Sequence, residues 1–148
     1  ALKLNLDERI EDCWLDAKGL ERALVNLLIN ACEAVDHDHG EITVATQLTL
    51  GRDLVLTVED NGRGIPPDRL QRIFFPLFST KGAEGTGLGL AMVKKWAAAV
   101  GGAIRAYSTE GKGSRFVLTF PRESVSAPAA VSSDDDQPGN GGRVTPVE

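Results

Sequence analysis

The chain has 148 residues, 42% of them hydrophobic and 25% charged, and this length and composition are those of one ordinary globular domain. Sixteen Lys and Arg residues against twenty-one Asp and Glu residues give a formal net charge of -5. Proteins whose main partner is nucleic acid are usually basic, so this balance argues against nucleic acid as the primary partner.

Neither membrane contact nor a disulfide framework is indicated by the sequence. No apolar run reaches the roughly 18 residues of a spanning helix, because Lys94 and Lys95 interrupt the longest candidate, residues 88–100. Cys13 and Cys32 have neither C-x-x-C spacing nor histidine-rich neighbours, so they predict no zinc site and no disulfide. We therefore expect a segment without membrane contact in a reduced, cytoplasmic setting.

The N-terminal part predicts two short strands and a long helix. Leu2, Leu4 and Leu6 alternate with polar residues, and residues 13–15 form a short apolar run, so both are interpreted as strands. Asp16 is a candidate N-cap. After it, apolar residues recur at three- and four-residue spacing, which is typical of a helix with one apolar face: Leu20, Leu24, Leu27, Leu28, Ala31 and Val35.

The middle of the chain predicts a hairpin, a long loop and a second helix. The β-rich runs 41–50 and 53–59 are separated by Gly51 and Arg52, as in a hairpin with a short loop. A Gly- and Pro-rich stretch follows over residues 61–89, interrupted by an apolar segment at 73–75. Residues 90–100 then predict a helix that ends at a Gly-Gly pair.

The end of the chain predicts a second hairpin followed by a tail. Residues 103–107 and 114–120 are interpreted as its strands, and the proline at 121 ends it. The order of elements predicts an α+β sandwich, with helices on one face of a mixed sheet. From residue 122 the composition shifts to Ser, Ala, Pro, Gly and Asp, so we expect a folded domain over 1–121 and a disordered tail or linker over 122–148.

Two asparagines on the first predicted helix are unusual. Asn26 and Asn30 lie one turn apart on the side opposite the leucines, together with Arg22, Glu33 and His37. Asn inside a helix costs a few tenths of a kcal/mol. An amide oxygen is a good ligand for Mg²⁺ and an amide nitrogen can meet a phosphate oxygen, so a ligand site would explain the pair. The alternative is a solvated polar helix face.

Two glycine-rich segments also suggest a ligand. In residues 60–66 the Asp60 carboxylate could accept from an exocyclic amine while the glycines permit close approach to a flat ligand, although an ordinary turn is the alternative. Residues 85–90 place three glycines at a helix N-terminus, which favours an anion. They match neither a P-loop nor a Rossmann fingerprint, and close helix packing is the alternative for Gly87 and Gly89. Residues 79–81 upstream offer two hydroxyls and a cation, so a mobile lid over phosphates is expected.

The order and spacing of these segments resemble the ATP-binding catalytic domain of sensor histidine kinases, in the GHKL superfamily that also includes gyrase, a heat-shock chaperone family and MutL. Residues 26–31 resemble the family's N box, residues 60–65 its G1 box, residues 73–81 its F box and residues 85–90 its G2 box. Residues 111–116 resemble its closing glycine-rich turn. The resemblance covers residues 1–121 and implies a Bergerat-type two-layer α/β sandwich, with ATP between the helices and a lid.

The resemblance also implies roles for individual residues. Asn30 would supply the oxygen for Mg²⁺, while Asn26 and Lys81 would contact the phosphates, and these three form the predicted catalytic set. Asp60 would accept from the adenine amino group. The remaining predicted nucleotide contacts are Gly62, Gly64, Ile65, Phe75, Thr80, Gly85, Thr86, Gly87, Leu88 and Gly89. Phe75, with Phe78, would steady the lid. Ser114 occupies a position where the family often has a small hydroxyl residue, and it is not included in the predicted set.

One position separates branches of the superfamily. The ATP-hydrolysing members have a general-base Glu four residues before the N-box Asn, and here that position is Asn26. Phosphoryl transfer depends mainly on positioning and charge neutralisation, so transfer to an imidazole can proceed without that base while hydrolysis should be slow. The alternatives are a GHKL-type ATPase, an anti-sigma serine kinase, or a nucleotide-binding regulatory module without transfer.

The phospho-accepting histidine is not expected in this chain. His37 and His39 are the only histidines and fall in a loop after the first helix. The family's acceptor lies on a dimerisation domain, which would precede Ala1, so we expect that the chain was cut from a longer kinase. The implied partners are ATP or ADP, that dimerisation domain and a downstream response regulator. The isolated domain should be monomeric and its parent a homodimer.

Overall fold

The computed structural model describes residues 1–11, 13–78 and 87–126. Within these residues the chain forms five strands and four helices. They are β1 (Leu2–Asn5), α1 (Ala17–Ala34), β2 (Ile42–Leu48), β3 (Leu54–Asp60), α2 (Pro67–Leu70), α3 (Gly89–Ala99), β4 (Ala103–Thr109), β5 (Gly113–Phe120) and α4 (Arg122–Val125).

The strands form one sheet in the order β1-β2-β3-β5-β4. The edge strand β1 runs parallel to β2, and the other neighbouring pairs are antiparallel. The two predicted hairpins are therefore β2–β3 and β4–β5. Strand β5 pairs with β3, so these two strands join the hairpins into one sheet. The predicted α+β class with a mixed sheet is confirmed.

The hydrophobic core lies on one face of this sheet. Alternate residues of β3 and β5, such as Val58 and Leu118, are almost completely buried beneath α1 and α3. Leu27 is the large buried residue of α1, and Val93 is its counterpart on α3. Each such side chain contributes about 1.5–3 kcal/mol by leaving water. The helices therefore cover one face of the sheet, as the apolar spacing predicted.

The two long helices are joined at one end by the N-cap of α1. One Asp16 carboxylate oxygen accepts from the Gly19 backbone N–H at 3.1 Å, and the other accepts from the Trp96 indole N–H at 3.1 Å. These hydrogen bonds lower the pKa of Asp16 below its usual range. Trp96 also packs edge-on against Phe120, with ring centroids 5.7 Å apart. The hydrogen bond to Asp16 and the packing on Phe120 hold the C-terminal half of α3 against the start of α1 and against β5.

Two sequence-based expectations about the elements are wrong. Residues 13–15 are not a strand, because the Trp14 backbone N–H donates to the Val125 carbonyl at 2.9 Å in an irregular segment. The expected boundary at 121 is followed by α4, whose Val125 is buried in the core, so the folded unit continues past it. His37 lies in the turn after α1, which ends at Ala34, so its predicted position in a loop is confirmed.

Two other features concern the loop and the ends. The stretch predicted as a loop contains the short helix α2, which begins after Pro66. Residues 127–148 of the predicted tail lie outside the described part of the chain. Among the described residues, no helix combines the length and apolar character needed to cross a bilayer.

Candidate functional site

A cavity of about 550 Å³ lies between α1, the loop after β3, the N-terminus of α3 and the start of β5. Seven predicted site residues line it: Asn26, Asn30, Asp60, Gly64, Ile65, Gly87 and Gly89. Further lining residues were not part of the predicted site, and they include Glu33, Arg63, Arg69, Phe78, Glu110, Ser114 and Phe116. The separate predicted segments thus meet around one space large enough for a nucleotide-sized ligand.

Asp60 belongs to the buried part of the cavity lining, which also contains Ser114 and Phe116 and is called the closed end below. Along β3, side chains alternate between the two faces of the sheet, so Asp60 shares the core-facing side with Val58 while Glu59 faces outward and pairs with Arg115. Asp60 is only 6% exposed, and its Oδ1 accepts from the Gly62 backbone N–H at 2.9 Å. Burial raises its pKa above the usual value, and hydrogen bonds from the backbone N–H groups of Gly62 and Ser114 partly oppose that shift.

The loop after Asp60 is held from both sides. A Cβ placed on Gly62 would lie 2.4 Å from the Ala34 carbonyl oxygen, so Gly62 is required where the loop passes the end of α1. Gly64 has φ +68, and a Cβ there would lie 2.1 Å from the Thr109 carbonyl oxygen. Gly64 lines the cavity and Gly62 is not among its lining residues. The predicted approach of a base is therefore compatible with Gly64, whereas Gly62 serves the contact with α1.

A pair of serines lies beside Asp60. Ser114 is 6% exposed, lines the cavity, and pairs with Asp60 across β3 and β5 and with Ser108 across β4 and β5. The Ser108 hydroxyl contacts the Ser114 hydroxyl at 3.0 Å and also accepts from the Ile65 backbone N–H at 2.8 Å. No role was predicted for Ser108, because its contact with Ser114 depends on the register of the strands.

Asparagines line the α1 side of the cavity. Asn26 Nδ2 donates to the Arg22 carbonyl at 3.0 Å, so the predicted contact of this nitrogen with a phosphate competes with a bond inside the helix. The oxygen of Asn26 faces the start of α3, since a Cβ built on Gly89 would lie 2.7 Å from Asn26 Oδ1. Asn30 and Glu33 continue along the same wall. The amide oxygen of Asn26 and the N-terminus of the 11-residue helix α3 therefore lie close together.

The side-chain oxygens on this wall can bind Mg²⁺ only if a bound ligand supplies further oxygens to complete the coordination. Within the described residues no group of three or more His, Cys, Asp or Glu could hold a metal. Mg²⁺ in phosphate sites usually keeps several waters and takes one or two protein oxygens together with phosphate oxygens. The wall formed by Asn26, Asn30 and Glu33 supplies oxygens of that kind, so the residues present fit Mg²⁺ that arrives with a phosphate.

The aromatic residues of the lid side differ from the prediction. Phe78 lines the cavity, and the Arg72 guanidinium lies 4.9 Å from the centre of its ring. Phe75 is 61% exposed and is not a lining residue, and Leu88 is also absent from the lining. Four predicted site residues lie outside the described part of the chain: Thr80, Lys81, Gly85 and Thr86.

Comparison with known proteins identifies this type of site. Residues 15–124 match the family described as histidine kinase-, DNA gyrase B- and HSP90-like ATPase. The chain belongs to this family. The resemblance found in the sequence boxes is therefore confirmed: the domain is of the ATP-binding catalytic type found in sensor histidine kinases.

Individual relatives give the same assignment. Sensor histidine kinase ZraS of Escherichia coli (strain K12) is 42% identical over 120 residues, which are 81% of this chain and 25% of that protein. The mycobacterial sensor histidine kinase MprB superposes with a TM-score of 0.70 at 26% identity, covering 81% of this chain and 82% of that one. Full-length ShkA in complex with AMPPNP superposes with a TM-score of 0.74 at 28% identity, covering 87% and 26%. The chain spans about a quarter of the length of the ZraS relatives.

Proposed function

We propose that this domain binds Mg²⁺-ATP in the cavity and transfers the γ-phosphoryl group to a histidine on a dimerisation domain outside this chain. The observation that supports this most is the arrangement of the cavity. A buried carboxylate, Asp60, lies at its closed end, and two asparagines lie beside a helix N-terminus on another side. Family membership supports the same assignment.

The closed end suits adenine. The Asp60 carboxylate accepts hydrogen bonds, and a buried carboxylate with its own backbone donors is held in one orientation. Adenine carries an exocyclic amino group that can donate to it. Ile65 and Phe116 line the same region and offer apolar surface to the faces of a purine.

The side near Gly89 suits the phosphates. The N-terminus of α3 presents backbone N–H groups and the positive end of its dipole, which favours anions. Asn30 is proposed as the protein ligand of Mg²⁺ and Asn26 as its neighbour at the phosphates. When bound, the metal would neutralise charge on the phosphate oxygens. Thr80, Lys81, Gly85 and Thr86 remain predicted phosphate contacts, since they lie outside the described residues.

The transfer itself requires little covalent chemistry from the domain. A neutral imidazole nitrogen of the acceptor attacks the γ-phosphorus, the bond to the β,γ-bridging oxygen breaks, and ADP leaves with the electron pair. The domain contributes by holding the γ-phosphoryl group in position. Asn26 occupies the place where a carboxylate would be needed to activate water, and an amide cannot take up that proton. We therefore propose slow hydrolysis and transfer to histidine.

The remaining assignments are proposals of the same kind. A histidine-bearing dimerisation domain and a response regulator are the proposed protein partners, and the cytoplasm is the proposed location. The isolated domain is proposed to be a monomer and its parent a homodimer.

Label transfer from [γ-³²P]ATP tests this proposal. The chain is mixed with the dimerisation domain of its parent kinase, and acid-labile, base-stable label on that domain is the expected result. Asn30→Ala should abolish the transfer. Asn5→Ala, an exposed asparagine on the edge strand, is the matched control and should not affect it.

Two results would contradict the proposal. ATP binding without any label on the histidine domain would indicate a nucleotide-binding regulatory module. Steady phosphate release by the isolated chain, without an acceptor, would indicate an ATPase.

A further inference from the structure

Ser108 lies directly behind the closed end of the cavity. It is on β4, is partly buried, and is not among the residues that line the cavity. Its cross-strand neighbour Ser114 does line it. Ser108 can therefore influence a ligand only through the groups that it contacts.

The Ser108 hydroxyl has three polar contacts. The Ile65 backbone N–H donates to Ser108 Oγ at 2.8 Å. The Ser108 hydroxyl donates to the Gly113 carbonyl at 2.9 Å. The third contact, with Ser114 Oγ at 3.0 Å, permits either hydroxyl to be the donor.

Counting hydrogens decides the direction of that third contact. A serine hydroxyl has one hydrogen and two acceptor lone pairs. The Ile65 contact uses one lone pair, and the Gly113 carbonyl, which can only accept, uses the hydrogen. Only one lone pair of Ser108 is then left, so Ser114 must donate its hydroxyl hydrogen to Ser108 for all three contacts to be hydrogen bonds.

This direction leaves Ser114 without a hydrogen for the cavity. The Ser114 backbone N–H donates to Asp60, and the Ser114 hydroxyl donates to Ser108. The free lone pairs of Ser114 Oγ can only accept. The neighbouring Asp60 carboxylate also accepts, so two adjacent acceptors form the polar part of the closed end.

We propose that Ser108 is a positioning residue for base selectivity: by taking the hydroxyl hydrogen of Ser114, it makes the closed end accept hydrogen bonds and favours a purine with a 6-amino group. This inference rests on the proposed binding of ATP at this site. The 6-amino group has two hydrogens and can donate to both acceptors. A purine with a 6-oxo group brings a carbonyl oxygen against them, and its single N1–H can donate to only one, so buried polar atoms are left without partners.

Comparison of ATP with inosine triphosphate tests the inference. Hypoxanthine replaces the 6-amino group by an oxygen, carries a hydrogen on N1 and adds no 2-amino group. Dissociation constants are measured for both nucleotides on the wild-type chain, Ser108→Ala, Ser108→Thr and Ser114→Ala. Ser126→Ala is the matched control for loss of a serine hydroxyl, because Ser126 donates to the Arg122 carbonyl in the C-terminal turn.

The selectivity ratio is the dissociation constant for inosine triphosphate divided by that for ATP, and it separates a positioning role of Ser108 from a purely structural one. Ser108→Ala frees the Ser114 hydrogen to donate to a 6-oxo group, so the preference for ATP should fall about three- to tenfold. Ser108→Thr keeps the hydroxyl and should retain the wild-type ratio. In a Ser114→Ala background, Ser108→Ala should no longer change the ratio. Loss of loop support alone would weaken both nucleotides by the same factor.

Each outcome has one meaning. An unchanged ratio in Ser108→Ala, or equal binding of the two nucleotides by the wild type, overturns the role of Ser108. If Ser108→Ala does not fold, the Ser114→Ala variant provides the test. An unchanged preference for ATP over inosine triphosphate in Ser114→Ala would show that the Ser114 oxygen is not the acceptor on which the inference depends. Failure of the wild type to bind either nucleotide overturns the proposed function instead.

Discussion

Replacement of Asp60 by Asn should weaken ATP binding while leaving the fold intact. Asn has nearly the same shape, and its side-chain oxygen can still accept from the Gly62 N–H that now lies 2.9 Å from Asp60 Oδ1. The change removes the charge that would accept from the adenine amino group. Hydrogen bonds to charged groups contribute about 1.5–3 kcal/mol, which corresponds to about 10- to 150-fold in the dissociation constant. Calorimetric titration with ATP measures this change.

The same substitution should also change the pH dependence of stability. Burial raises the pKa of Asp60, so the folded domain holds this proton more tightly than the unfolded chain does. Ionisation of Asp60 therefore opposes folding. The cost is present above the folded pKa and disappears as the pH falls through the folded pKa to the usual carboxyl value. Thermal unfolding should show Asp60→Asn at least as stable as wild type at neutral pH, with its relative advantage lost in acid.

Glu59→Gln is the matched control for both measurements. Glu59 precedes Asp60 on β3, but its side chain faces the outer side of the sheet and pairs with Arg115 in an exposed ion pair. This variant should bind ATP as the wild type does. Wild-type affinity in Asp60→Asn, with Glu59→Gln equally unaffected, would refute the placement of the base at Asp60.

Three further changes test other parts of the site and the core. Asn30→Ala should weaken ATP binding in Mg²⁺ but not in EDTA, and calorimetry that shows equal losses in both would contradict its role as metal ligand. Phe78→Ala should lower ATP affinity because Phe78 lines the cavity, whereas Phe75→Ala should not, since Phe75 is exposed; equal effects on titration would contradict this distinction. Leu27→Ala should destabilise the domain by about 2–5 kcal/mol in denaturant unfolding, while Leu50→Ala at a fully exposed turn position should leave the midpoint unchanged, and similar midpoints would contradict the core assignment.

The parts of the fold that follow a regular pattern could be predicted from the sequence. The three- and four-residue spacing around Leu27 reflects burial of one helix face, and that face is indeed the one packed on the sheet. The alternating β-rich runs likewise became β2 to β5 with ends shifted by one or two residues. Short apolar segments were less informative. Residues 13–15 carry too few residues to show a period, and their bonding depends on Val125, more than a hundred residues away.

Site residues could be predicted where a single segment of the sequence contains the unusual polar residue. Asn26, Asn30 and Asp60 each stand out because a polar residue replaces one that local structure would favour, and all three line the cavity. The serine pair could not be found this way, since Ser108 meets Ser114 only through the register of β4 and β5. The choice between Phe75 and Phe78 also depends on the direction of the chain through a tight turn, which composition does not encode.

Calorimetric titration of the unaltered chain with ATP, in Mg²⁺ and in EDTA, tests the central claim most directly. A single site with micromolar to submillimolar affinity that tightens in Mg²⁺ is the result that the cavity and the family predict. Absence of binding at about 1 mM nucleotide, weaker than about -4 kcal/mol, would contradict the assignment of this cavity as a working ATP site.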